Sequence, residues 1–373
     1  MWCAFSALSS AAQRKVYLDW GHFQVCPNLY IVLVSEPGRC AKTTAMNVAR
    51  KLVSRVDTIK TMSDSITKEK IYVAMQENSQ VFQFTPTEIF THCSLTIYAS
   101  EMSVLIKSYD KDFVGSLNSL FDTINDLPFR HATKHSGSNI IPNPYLNIIG
   151  CTTPQWLAEN IQEDVVEGGF SSRTIFVYSD TPNKPVPRPS LRPDQVVAIE
   201  RLIIRLERIT SLGGCFTIDP IAAQVYDEWY FKHYASRATN LRMAGYHARK
   251  KIHVLKIAML RSLSIKDQLV ITPEDILYAI ALLDEVEKPM EIALRGIGRN
   301  KLNADMERIL RDIQRMPNKK IQVKQLIAMN TFQLRDEELQ ECIRVMTAMG
   351  CIKETMDTET REHWIQYIEG TTQ

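Results

Sequence analysis

The sequence predicts an α/β fold: a parallel sheet with helices on both faces, followed by a helical lid and a C-terminal winged-helix module. Three observations carry this. Asn28-Leu29-Tyr30-Ile31-Val32-Leu33-Val34 is an almost continuous apolar run rich in β-branched residues, as expected of a strand buried on both faces. Similar runs recur with helical stretches between them, the alternation of a parallel sheet. Beyond Pro193 the apolar spacing becomes helical, and the end of the chain reads as three short helices and a hairpin.

In chain order, residues 1–27 form a helical lead-in, with a short helix over Ala4 to Val16 that starts as if an upstream module were missing. Residues 28–180 form the sheet core. Its first strand runs into the turn Ser35-Glu36-Pro37-Gly38-Arg39-Cys40-Ala41, and a helix is expected from Lys42 to about Val56. Further strands are expected at Ser94 to Ala99, ending at Ser100-Glu101, and at Tyr145 to Gly150, ending at Cys151-Thr152-Thr153-Pro154. Another is expected at Thr174 to Tyr178, after Gly168-Gly169-Phe170-Ser171-Ser172-Arg173. Residues 181–193 hold five prolines without periodicity and read as a linker. Residues 194–300 form the lid. Residues 303–370 carry helices over Met306 to Met316, Val323 to Met329 and Asp336 to Met349, then strands at Cys351 to Lys353 and His363 to Ile365.

Composition narrows the function classes. No apolar run reaches the ~18 to 20 residues that cross a bilayer, and the start lacks a secretory leader, so a cytoplasmic protein is expected, in a bacterial host cell if phage or mobile-element encoded. The eight cysteines show no C-x-x-C pair and are expected as reduced core thiols. Net charge is +2, but the charge is segregated. No acid occurs from Leu127 to Ala158, nor from Trp229 to Lys266, where nine Lys or Arg residues lie among three histidines. Such segregation suits a surface that meets phosphates.

The turn before Lys42 approximates the phosphate-binding G-x-x-x-x-G-K-[ST], with Ala41 where glycine is required. Its mechanics survive: a buried strand, a Pro-Gly turn, then Lys42 and Thr43 opening a helix whose N-terminus favours anions. Pro37, Gly38, Arg39, Cys40, Ala41, Lys42, Thr43 and Thr44 are the candidate nucleotide contacts, Lys42 meeting the β and γ phosphates and Thr43 ligating Mg²⁺. An ordinary strand-to-helix turn with an exposed lysine would read the same. Hydrolysis also needs a carboxylate to polarise water, expected at the end of the strand beside the loop strand, and Glu101 ends a strand in that manner. By itself Glu101 would read equally as a helix N-terminal acid.

These motifs in this order resemble the phage and mobile-element helicase-like ATPases found in primase-helicase proteins, often described only as a domain of unknown function. Those are similar to the AAA+ helicases of the superfamily-three and minichromosome-maintenance groups. The resemblance covers about Ala4 to Ile297, and more weakly the tail; members often carry an upstream primase module, absent from this sequence. It implies a P-loop ATPase using ATP and Mg²⁺, with Glu101 as catalytic base and metal-side carboxylate, although Ser100 stands where Asp is usual. It implies Thr152 or Thr153 as the sensor of the γ-phosphate, Arg173 as a finger inserted into an adjacent subunit's site, and Arg249 as a second phosphate sensor. Arg249 stands seven residues before Lys256, about two helical turns, so both are expected to point the same way. Lys250 and Lys251 read equally as a solvated run.

Pro128 to Asn139 reads as a hairpin. By the same resemblance it enters the pore of a ring, with Lys134, His135 and Arg130 gripping single-stranded DNA. The expected assembly is a homo-oligomeric, hexameric helicase or translocase serving phage or mobile-element replication, with a primase or the duplex fork as further partners and no membrane. Two other readings stay open: an ATPase that loads or remodels a replication partner without unwinding, and a non-hydrolysing nucleotide-binding module. The acidic helix Asp336 to Cys342 would repel phosphates, so the tail is expected to dock protein or stabilise a ring. Lys319, Lys320 and Lys324 leave a DNA contact open.

Overall fold

The computed structural model describes the chain except residues 64–66, 107–109, 123–127, 134–136, 161–168, 182–185, 189, 236–240, 295–300, 331–333, 335, 357–361 and 369–373. It divides into two compact units, Met1–Ile297 and Gly298–Gln373.

The first unit is built on a parallel sheet of five strands: β1 (Tyr30–Val34), β2 (Thr61–Ser63), β3 (Glu88–Ala99), β4 (Pro144–Thr152) and β5 (Thr174–Tyr178). Their spatial order is β5-β1-β4-β3-β2. Every residue of β1 and of β4 is buried, which is why β1 reads as an unbroken apolar run and β4 as an apolar run interrupted by Asn147. Ile31 pairs with Ile175 on one side and Ile149 on the other, and Tyr98 of β3 pairs with Ile149. β2, short and half-exposed at the sheet edge, has no comparable signature. The strand Gln80–Thr85 pairs antiparallel with the first half of β3.

Helices cover the sheet. Trp2–Ala12 buries its serines as well as its apolar residues, and each serine has a reason. Ser9 Oγ lies 2.9 Å from Tyr145 Oη and donates to Asn147 Oδ1 at 3.0 Å. Asn147 Nδ2 donates to the Ser6 carbonyl, and Thr96 Oγ1 donates to Ser10 Oγ. This polar seam fixes the helix on β3 and β4, each bond contributing about 1 kcal/mol net while sparing a buried polar group. Lys42–Val53 presents Met46, Ala49 and Val53 inward, three or four residues apart.

The helical segment after the linker comprises Pro193–Thr210, Pro220–Ala235, Leu241–Ile265 and Pro273–Leu294. It does not fold apart from the core. Its strands Gly214–Ile218 and Val270–Ile271 pair in parallel, and Gly214–Ile218 also pairs in parallel with Val16–Asp19, on whose other side lies the antiparallel Gln24–Val25. Residues 16–25 and the helical segment thus share one four-stranded sheet.

The second unit has the order helix Lys301–Arg315, strand Lys320–Gln322, helices Val323–Asn330 and Asp336–Ala348, and strands Ile352–Met356 and His363–Tyr367. The strands form an antiparallel sheet with His363–Tyr367 central. Ile309, Ile313, Leu326, Cys342, Met346 and Ile365 are among the side chains of its own core. Among the described residues no helix is long and apolar enough to cross a membrane. The cysteines are free, and Cys215 is exposed rather than in the core.

Candidate active site

The turn after β1 leaves the carboxyl edge of the sheet and is flanked by both neighbouring strands. Ser35 N–H donates to the Thr152 carbonyl at 3.3 Å, tying the turn to the end of β4. On the other side Arg39 Nε donates to the Asp180 carbonyl, and Cys40 Sγ lies 3.1 Å from the Thr181 carbonyl, just past β5. Pro37, Gly38, Arg39, Ala41 and Thr44 are exposed, while Cys40, Lys42 and Thr43 are half-buried. Gly38 has φ +72°, a conformation in which a side chain is strained, and a Cβ built there would meet nothing, so the glycine answers the turn and not a close neighbour.

Ala41 is left-handed, φ 45° and ψ 40°, as N-cap of Lys42–Val53. This is the position where the phosphate-binding pattern requires glycine, and the backbone shows why: the turn needs positive φ just before the lysine. Alanine adopts it at a cost of about 1 kcal/mol. The Lys42 ammonium folds back over the turn, donating to the Ser35 carbonyl at 2.5 Å and to Ser35 Oγ at 2.9 Å.

Glu101, Thr152 and Lys42 are brought together. Ala99 pairs with Gly150 and Val34 with Thr152, so Glu101, two residues past Ala99, stands level with Thr152 and with the mouth of the turn. The expectation that the strand of Glu101 lies beside the loop strand is corrected: β4 lies between them. Glu101 is therefore two strand spacings, about 9.6 Å, from β1. Cys151 sits in the middle: burial, above all, pushes its thiol up to about 11, while the Thr43 hydroxyl bonds to it and the Lys42 and Glu101 charges act on it. Thr152 is 1% exposed, and its Oγ1 has no hydrogen-bond partner among the described residues. Thr153 Oγ1 instead accepts from Trp156 N–H at 3.1 Å and starts the next helix. Of the two threonines, Thr152 is the one with an uncommitted hydroxyl.

Arg173 and Arg249 lie elsewhere. Arg173 precedes β5, whose first residue pairs with Tyr30, the first residue of β1, so Arg173 stands at the amino edge of the sheet, opposite the turn. Its Nε donates to Asp122 Oδ2 at 2.9 Å and its Nη1 to the Gly169 carbonyl at 2.8 Å. Gly169 has φ +97°, a conformation that strains any residue with a side chain, and a Cβ there would also displace the Arg173 guanidinium. His253 Nε2 lies 2.9 Å from the Ser172 carbonyl and holds the segment from behind. Arg249 reaches the same carboxylate, Nη1 to Oδ1 and Nη2 to Oδ2, both at 2.6 Å. Lys256, two turns along the same helix, is buried beside them, its ammonium on the Asn28 carbonyl at 3.0 Å and 4.0 Å from the centre of the Phe121 ring. Burial lowers it to about 7. Lys250 turns away, to Asp284 and Glu287.

Asp122 is a residue that sequence reasoning missed. It ends the helix Lys111–Phe121 and carries no local signal, since both its partners are distant in the chain. The expected hairpin is present as Phe129–Thr133 and Gly137–Ile141, antiparallel, leading into the amino end of β4. Arg130 is exposed on it; Lys134 and His135 lie outside the described residues.

No protein-family model matches the chain, and no curated protein matches it. Among solved structures it is similar to a full-length MCM homolog from Methanopyrus kandleri, with TM-score 0.41 and 11% identity. The match covers 76% of this chain and 54% of that one, so the chain spans about half the length of that protein.

Proposed function

We propose that the chain is an oligomeric P-loop ATPase of the AAA+ kind, hydrolysing ATP at the carboxyl edge of its sheet and acting on DNA. One observation carries the reading: Lys42, Thr43, Glu101 and the uncommitted hydroxyl of Thr152 converge on one turn, while Arg173 and Arg249 stand together at the opposite edge. The order β5-β1-β4-β3-β2, with the phosphate turn after the first strand, supports it.

The turn fits a triphosphate. Lys42 is held by a backbone carbonyl and a serine hydroxyl, partners that a charged phosphate outcompetes. Thr43 and Glu101 would hold Mg²⁺, which neutralises charge on the phosphates. Glu101 orients and deprotonates the attacking water, and Thr152 donates to the γ-phosphate or to that water. Arg173, an edge away from its own turn, serves a nucleotide held by a second copy, which makes assembly into a ring part of the chemistry. Arg249 belongs to that same second-copy face. The hairpin with Arg130, and with Lys134 and His135 beyond the described residues, is assigned to single-stranded DNA, and the second unit, in winged-helix order, to docking of protein or ring neighbours. A hexameric helicase in phage or mobile-element replication is the fullest form of this reading.

The test is ATP turnover with and without single-stranded DNA on a preparation of measured oligomeric size, combined with subunit mixing. Lys42→Ala and Arg173→Ala are each expected to be inactive alone and to regain turnover when mixed, because an interface that joins Lys42 of an Arg173→Ala copy to Arg173 of a Lys42→Ala copy is intact. Absence of recovery would refute the shared site. A strand-displacement assay separates unwinding from partner loading. A second reading, nucleotide binding without turnover, draws on the strained Ala41 and on Ser100, and would be favoured by binding without hydrolysis even with DNA present.

A further inference from the structure

Asp122 occupies an unfavourable place for a carboxylate. It caps the C-terminus of Lys111–Phe121, where the helix already presents unpaired carbonyls and negative potential, so it is not there for the helix. Two guanidiniums hold it. Arg173 approaches through Nε and Nη2 and Arg249 through Nη1 and Nη2, so one carboxylate takes four charge-assisted contacts. Burial alone would raise its pKa, yet the two arginines outweigh burial and keep it below the usual carboxylate value.

The surroundings are short of negative charge. A cavity of about 540 Å³ opens beside the cluster, lined by Arg14, Asn28, Phe121, Arg249, Lys251 and Lys256, with Asp122 its one carboxylate among the described residues. Arg14 and Lys256 are 2% and 3% exposed. A single carboxylate therefore faces four cations, counting Arg173, besides Lys256, which burial lowers to about 7. The Asp122 side chain remains 36% exposed, so the cluster opens outward.

We propose that Asp122 is an internal stand-in for the terminal phosphate carried by a second copy of the chain. In the isolated subunit it binds Arg173 and Arg249 together, keeping their spacing and withholding them. On assembly the phosphate of the neighbour, richer in charge and in acceptor oxygens, takes the pair from it, and the cationic cavity draws that anion in. Self-association and nucleotide occupancy are thereby coupled: an empty neighbour offers nothing able to displace Asp122. The inference rests on the ATPase reading above and adds the residue that gates it.

Nucleotide-dependent self-association of the full chain, followed by sedimentation with Mg²⁺ and a non-hydrolysable ATP analogue, tests this. Asp122→Asn retains shape and removes the competing charge; it is expected to tighten association roughly tenfold, the weight of about one charged hydrogen bond. Asp122→Glu restores the charge and is expected to return association toward the parent value. Asp122→Ser serves the same purpose as Asn should the latter fail to fold. If the parent chain associates with nucleotide but Asp122→Asn and Asp122→Ser associate no more tightly, or less, Asp122 only positions the arginines and the proposal is wrong. If the parent chain itself shows no nucleotide-dependent association, the assembly reading fails first.

Discussion

The ammonium of Lys42 lies 2.5 Å from the carbonyl oxygen of Ser35, the residue that follows the buried strand β1. The lysine that would meet a phosphate is thus parked on the turn's own backbone, within reach of the space the phosphate would fill. Lys42→Ala is expected to lower ATP turnover by about 10²- to 10³-fold, the size seen for loss of one charge-stabilising donor. Because Lys42 is half-buried and engages no carboxylate, its thermal midpoint should stay close to the parent's. Phosphate release and a melting curve measured on the same sample check both halves.

Thr152→Val separates stability from function. The hydroxyl is buried without a hydrogen-bond partner among the described residues, so its replacement by a methyl group of the same shape should leave the fold as stable or more stable by about 1 kcal/mol. Turnover should fall by roughly a hundredfold. A destabilised variant with normal turnover would mean that the hydroxyl has a structural partner and no part in the chemistry.

Ala41→Gly and Ala45→Gly should have opposite signs. At Ala41, φ 45°, glycine relieves a left-handed backbone and, after its greater unfolded-state entropy, is expected to stabilise by up to about 1 kcal/mol. Ala45 lies inside the helix that follows, where glycine should cost about 1 kcal/mol. Chemical denaturation of the two variants reads both numbers; equal losses would contradict the conformation assigned to Ala41.

Acid should weaken the first unit well before carboxylates titrate. His253 is lowered to about 4, chiefly by burial, and His92 to about 3 by burial and the nearby Lys15 and Arg14. Both stay neutral in the fold as pH falls below 6.5, while the unfolded chain takes up their protons. Stability is therefore unaffected by them above pH 6.5 and falls between 6.5 and 4, by up to about 1.4 kcal/mol per pH unit for each. Thermal midpoints from pH 7.5 to 4.5 should show this slope, reduced in His253→Gln; a flat profile would mean that the histidines are solvated.

Burial decided what was readable in the sequence. β1, the second half of β3, β4 and β5 announce themselves because wholly or mostly buried strands leave largely apolar runs, and the candidate residues past their ends, Lys42, Glu101 and Thr152, followed from that placement. The helices of the second unit were equally plain, because a small core demands regular apolar spacing. β2 and Lys320–Gln322 were not, being three residues each with one buried side chain or none. Gly214–Ile218 was hidden among helices, since only Phe216 of its five residues is buried. The order of strands could not be read at all, which is why β4 was not placed between β1 and the strand of Glu101. Asp122 was invisible for a different reason: its meaning lies in two partners that the fold, not the sequence, brings to it.

The pairing of Val16–Asp19 with Gly214–Ile218, and of the latter with Val270–Ile271, governs how the chain is made. Val16–Asp19 leaves the ribosome long before its partners are synthesised, so this sheet cannot close until nearly the whole first unit has emerged. Contacts of such sequence separation slow folding and leave strand edges exposed meanwhile. At about 5 to 20 residues per second, the wait lasts on the order of ten seconds or more. The serine-bearing helix Trp2–Ala12 waits less long, for Tyr145 and Asn147 of β4, and a protein shortened from either end of this unit would be expected to collect as aggregate rather than as a smaller folded core.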